Sequence, residues 1–276
     1  MKNSTRLALT LATLALLVTG VGCNKLRARD QLNKGVQAYK SAKYEAAIGH
    51  FKNAVELDPK LINARLYLAT AYANQVIPNV DTPENVATAQ QAIDEFQHVL
   101  ELNPNPEAKI NSMKGIASLY FNTLRLDQAR EWHQKVLQVD PQDHEAYYSI
   151  AVIDWTKAYK PRMEERAKLG LKPTEPLKDK KICQMLRDKN QAAVQEGIDA
   201  LQKAIELKPD YDDAMAYLNL MYRERADIQC DDPAAQQADL ATADEWVKKT
   251  MDTKRAKAEK AAQAAGGIVL DETQQK

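Results

Sequence analysis

Four stretches of this chain end in the same way: Glu56-Leu57-Asp58-Pro59, Glu101-Leu102-Asn103-Pro104, Gln138-Val139-Asp140-Pro141 and Glu206-Leu207-Lys208-Pro209. A helix cannot continue through proline without losing a backbone hydrogen bond, yet proline is tolerated where the next helix starts. The four prolines stand 45, 37 and 68 residues apart. A repeat unit of about 34 residues, lengthened by insertions, accounts for these intervals. A chain built this way is expected to be all-α, a string of helical hairpins that bury their apolar stripes against one another.

Counting back from each proline tests the idea. Twelve residues upstream stand Ala47, Ala92, Ala129 and Gly197, small enough for two helices to approach closely. Eight upstream stand Phe51, Phe96, His133 and Leu201, and five upstream Ala54, Val99, Val136 and Ala204. The preceding helices carry Gly35, Ala69, Ala117 and Ala151 at their own close-approach position, with Tyr39, Tyr72 and Tyr120 following the first three. On these columns residues 28–257 resemble the tetratricopeptide-repeat (TPR) family. The resemblance implies a right-handed TPR superhelix, an α-solenoid of about five hairpins with a concave groove. The repeats are expected at 28–61, 62–106 (with a loop around Ile77–Asn85), 110–143, 144–211 and 212–257. In the last, Ala243 and Val247 take the small and large positions of a helix near Leu240–Met251. Residues 258–276 are expected to form a helical, then disordered, tail, with Gly266-Gly267 as the stop.

The fourth repeat holds an insertion, 158–191, containing Pro161, Gly170, Pro173 and Pro176. Short helices are expected at Met163–Leu169 and Lys178–Arg187. From Lys160 to Asn190 there are ten Lys/Arg and five Asp/Glu, a net of +5; from Glu206 to Asp232 there are three and eight, a net of −5. One reading folds the basic insertion onto its acidic neighbour. The other leaves a basic patch for an anionic partner. Cys183 lies in the insertion and Cys230 in the fifth repeat's loop. Such loops leave one edge of a solenoid, so a Cys183–Cys230 disulfide is expected, with two free thiols as the alternative.

The N-terminus reads as a targeting segment. Lys2 and Arg6 precede an uncharged run, Leu7–Val18, too short for the ~20 residues of a membrane-spanning helix. Small residues then lead to Cys23. Residues 1–22 resemble a bacterial lipoprotein signal, which implies cleavage before Cys23 and lipidation of its thiol. Gly22 fits that pattern, while Gly20 stands where leucine is usual. Ordinary cleavage would leave Cys23 a bystander. A lipidated linker is expected at 23–27. The resemblance places the mature chain on the periplasmic face of a membrane, the outer one favoured.

Charge is balanced, 38 basic against 38 acidic residues, so no global basic field exists to neutralise a nucleic-acid backbone. There is no phosphate-binding glycine motif, and the four histidines lack zinc-ligand spacing. Ser149 does not share a productive face with His144 and Asp154 on one helix. No catalytic residue, metal or cofactor is therefore expected. The working surface is expected to be the groove, lined from the first helix of each hairpin. TPR geometry brings Asn33, Tyr67, Asn74, Asn111, Lys114, Asn122, Tyr148, Trp155, Tyr217 and Arg223 there. Asn offers donors and acceptors to a peptide backbone, and Tyr and Trp give stiff contact area. Packing between repeats is the competing role for Trp155. The carboxylate clamp of chaperone-binding TPR domains is absent, its places being held by Leu32, Val36, Tyr67, Asn111 and Gly115. The expected function is a tethered, non-catalytic adaptor for proteins or peptides, of the build seen in outer-membrane assembly and pilus or secretin machineries. The alternative is a module for an anionic glycan or lipid, gripped by residues 160–190.

Overall fold

The structure is a computed structural model that describes residues 23–172, 175 and 177–264. The signal segment, Pro173, Pro176, the glycine pair and the tail beyond residue 264 lie outside the described residues. Among the described residues the chain is helix and turn without a strand: α1 (23–40), α2 (Tyr44–Leu57), α3 (Ile62–Ala73), α4 (Pro83–Glu101), α5 (Pro106–Asn122), α6 (Leu126–Val139), α7 (His144–Lys168), α8 (Lys180–Leu207), α9 (Asp212–Asp227) and α10 (Pro233–Ala264). α2, α6 and α8 stop two residues before Pro59, Pro141 and Pro209, and α4 stops three before Pro104. Starts are set by side chains that accept the first free N–H groups. Asn105 takes the N–H of Ala108 at 2.8 Å, Asp143 that of Ala146 at 2.8 Å, and Asp179 that of Ile182 at 3.0 Å.

The chain divides into two compact units, one ending at Trp132 and the other beginning at His133, within α6. In the first, α2 packs on α3, α3 on α4, α4 on α5, and α3 also meets α5. In the second, α7 packs on α8, α8 on α9, α9 on α10, and α7 also meets α9. Within each unit these helices touch their successors, and the first helix of one hairpin touches the first helix of the next, α3 on α5 and α7 on α9. The aligned columns form the cores. Ala47, Ala92 and Ala129 are 0% exposed, as are Ala54, Val99, Val136 and Ala204, and Phe51 and Leu201 fill the large position.

Close approach meets a rigid neighbour at Gly35, where an added Cβ would lie 2.4 Å from the Phe51 ring. Phe51 is fully buried and cannot yield. Gly35→Ala is expected to destabilise by about 1–2 kcal/mol, because overpacking outweighs the helix-propensity gain of about 1 kcal/mol. Gly49, with nothing within 4 Å of its Cβ position, is the control. Gly49→Ala should stabilise by about 0.5–1 kcal/mol in urea unfolding.

The structure corrects four boundaries. Residues 23–27 are the first turns of α1, not a linker. The third hairpin starts at Pro106, not 110. The insertion 158–191 makes no separate short helices; it lengthens both arms of the fourth hairpin, with α7 running through Pro161 to Lys168 and α8 starting at Lys180. The buried stripe explains why: Cys183, Leu186, Asn190, Val194 and Ile198 continue down α8 at helical spacing, and Ala151, Asp154, Ala158, Arg162 and Arg166 do so along α7. Last, α10 begins at Pro233, where Asp232 accepts the N–H of Ala235 at 2.9 Å, and runs on to Ala264. Ala243 is buried there, but Val247 is 40% exposed, with no later helix over it among the described residues.

The end of α10 is tied back to the start of α9. Lys257 meets Asp212 at 2.5 Å, and its hydrogen bond holds the Asp212 carboxyl below the usual carboxylate range. A lowered folded value gives a contribution present above about pH 4 and lost as pH falls through the folded value. Hydrogen-exchange protection at 254–264 should hold from about pH 5 to 8 and decline at lower pH.

Candidate functional site: an aromatic row and its support

The groove residues expected in the first unit are a polar set. Asn33 and Asn111 are exposed, Lys114 and Asn122 half-buried. The Asn74 amide donates to the Tyr39 hydroxyl. Tyr67, 39% exposed, stacks on Phe51 with ring centroids 5.4 Å apart. The backbone carbonyl of Asn122 accepts the N–H of Asn79 at 2.8 Å.

The second unit is more organised. His144, Tyr148, Trp155 and Tyr159 are spaced four, seven and four apart, which puts them on one face of α7. Tyr211, just before α9, and Tyr217 within it complete a continuous row. Centroids stand 5.3 Å apart for His144–Tyr211, 5.1 Å for Tyr211–Tyr148, 5.5 Å for Tyr148–Tyr217, 5.5 Å for Tyr217–Trp155 and 4.6 Å for Trp155–Tyr159. Edge-on and offset contacts like these suit the ring quadrupole. Tyr148, Trp155 and Tyr217 are half-buried, so packing and exposure coexist in each.

The row is short of hydrogen-bond partners. Among the described residues no hydroxyl of Tyr148, Tyr159, Tyr211 or Tyr217 has one, and the buried Trp155 indole N–H is unpaired. Burial, with Glu145 and Asp213 adding to it, pushes the Tyr211 hydroxyl up to about 12. Burial likewise raises Tyr148 and Tyr217. These hydroxyls stay protonated, hence donors, throughout the physiological range. Arg223 does not join them: it reaches Asp244 of α10 at 2.6 Å and Asn219 at 3.3 Å.

Beneath the row, the lengthened hairpin is clamped to α9. Arg162 holds Glu224 with two bonds, 2.7 and 2.8 Å, and Asp227 at 2.7 Å. Arg166 bonds Asp227 at 3.0 Å and the carbonyls of Lys172 and Glu175. Arg187 donates to the carbonyls of Ile228 at 2.7 Å and Cys230 at 3.1 Å, and Lys180 meets Asp231 at 2.6 Å. Burial pushes the Glu224 carboxyl up, and facing Arg162 only partly opposes this. Cys183 and Cys230 are joined in a disulfide with Cα atoms 5.8 Å apart. The insertion's arginines are therefore spent on the chain's own acidic segment.

Sequence reasoning did not include Tyr159, Tyr211 or His144 in the row. The helical spacing of the α7 members was a signal that could have found two of them. Cys23 is exposed at the head of α1. No described helix is long and apolar enough to cross a membrane.

No protein-family model matches the chain, and no curated protein matches it. Solved structures do. MamA from Desulfovibrio magneticus RS-1 is similar at 18% identity and a TM-score of 0.54, over 83% of this chain and 96% of that one. A second MamA structure gives 15% and 0.53, over 84% and 94%. YrrB, a TPR protein with an unusual peptide-binding site, gives 14% and 0.51, over 87% and 97%. Likeness at this level of identity speaks for the fold, and the fold of this chain is the tetratricopeptide-repeat α-solenoid.

Proposed function

We propose that this chain is a non-catalytic scaffold for protein–protein interaction, exported, tethered to a bacterial membrane through lipid on Cys23, and holding a partner segment on the aromatic face of α7 and α9. The observation that carries the reading is the row itself: half-exposed Tyr and Trp rings, presented together, with donors that their own chain leaves unused. Such residues dominate binding energy at interfaces. The peptide-binding site of YrrB, on the same fold, agrees with it. Anchoring at Cys23 would set α1 directly beside the bilayer, on the periplasmic face, the outer membrane favoured. The alternative of an anionic glycan or lipid gripped by residues 160–190 is not favoured, because Arg162, Arg166, Lys180 and Arg187 already face carboxylates and carbonyls of their own unit.

Capture from membranes tests it. Tyr148→Ala is expected to reduce recovery of proteins held by the native chain about tenfold or more, as loss of an interface hot spot would. Unchanged recovery, with a native circular-dichroism spectrum, refutes the site. Mass spectrometry of the mature chain should find lipid on Cys23, and Cys23→Ser should release the protein from membranes.

A further inference from the structure

We infer that the aromatic face of α7 and α9 takes an extended, proline-rich segment carrying a Lys or Arg that meets Asp213. The inference rests on the scaffold reading above and names the chemistry of its ligand. The argument is one of matching donors and acceptors. The row offers ring faces and four tyrosine hydroxyls that make no hydrogen bond among the described residues, with the Trp155 N–H buried behind them and unpaired. It offers no strand edge, so a partner cannot join by pairing backbone with backbone. The complementary ligand has apolar rings to lay on aromatic faces and carbonyls that are free. A proline-rich segment has both: in the polyproline II conformation it forms no internal hydrogen bonds, and proline has no N–H needing an acceptor. A helical peptide would have spent its carbonyls on itself.

Two details add to the match. The Trp155 indole N–H is buried without a partner, an arrangement that is costly unless a carbonyl arrives. Tyr159 stacks on the indole with centroids 4.6 Å apart and is 37% exposed, so a partly open ring lies against it. At the other end Asp213 is exposed, acts on Tyr148, Tyr211 and Tyr217, and makes no direct ion pair among the described residues, with Lys257, bonded to Asp212, as its nearby cation. A cation at the matching end of the segment would fix its direction.

The probe is a fluorescent acetyl-octaproline ending in arginine amide, read by anisotropy with the full mature chain. Saturable binding below about 1 mM is expected. Trp155→Phe keeps a ring and removes the N–H, and is expected to weaken binding about tenfold, the worth of one hydrogen bond. Asp213→Asn should weaken the arginine peptide but not a leucine-ended one. No saturation, equal binding by Trp155→Phe, or binding of an N-acetylglucosamine oligomer in place of the peptide each overturns the assignment. If the peptide fails while protein capture still depends on Tyr148, the scaffold stands and only the proline assignment falls. If both fail, both readings fall.

Discussion

Arg162→Met is expected to remove about 3–5 kcal/mol of stability, the usual consequence of stripping one partner from a buried ion pair. Arg162 is 10% exposed in its side chain and Glu224 3%, so the carboxylate left behind reaches no water. Asp227 would keep only Arg166. The double substitution Arg162→Met with Glu224→Leu should recover much of the loss, since removing both charges avoids the uncompensated one. The pH dependence has a definite sign. In Arg162→Met the folded carboxyl of Glu224 is raised further by burial, so its neutral form is favoured. The deficit is then small below the unfolded value of about 4.3, grows as pH rises from there towards the raised folded one and is complete above it. Urea unfolding at pH 5 and pH 8 reads this directly.

Cys183→Ala with Cys230→Ala is the second large effect. The bond closes a loop of 47 residues. Chain entropy assigns such a loop about 4 kcal/mol, and measured values for disulfides run about 2–4. The melting temperature should fall by roughly 5–15 °C. Arg187 still ties α8 to the carbonyls of Ile228 and Cys230, so the hairpin stays seated in the native state. The loss should appear as global unfolding at lower denaturant. A separate early transition limited to α8 would contradict that division of labour.

Much of the fold was legible in the sequence, because small residues recur at fixed distances before each proline. Ala47, Ala92, Ala129 and Gly197 mark where helices touch, and no other role explains their register. The fourth hairpin was not legible for a physical reason. Its buried stripe is carried at Asn190, Arg162 and Arg166 by polar side chains, and these read as surface until their partners are seen. Asn190 donates to the carbonyl of Ala158 at 3.3 Å, and the arginines meet Glu224 and Asp227, more than sixty residues away in sequence. The opposed charges of the two segments were visible, as was the placement of both cysteines on one edge. The candidate site was legible in part. Tyr148, Trp155 and Tyr217 were among the residues expected to line the groove, and their rings do meet, whereas Tyr211 precedes its helix and belongs to no periodic pattern. The ion pair of Arg223 with Asp244 was not legible, because the two stand on different helices and are brought together only by the fold.

The most direct test of the account places a photo-reactive phenylalanine analogue at Tyr217, on the aromatic face, or at Ala192, exposed on α8. After irradiation of intact cells, the account predicts a discrete cross-linked partner from position 217 and none from 192. Equal cross-linking from both positions, or cross-linking from 192 alone, would contradict it.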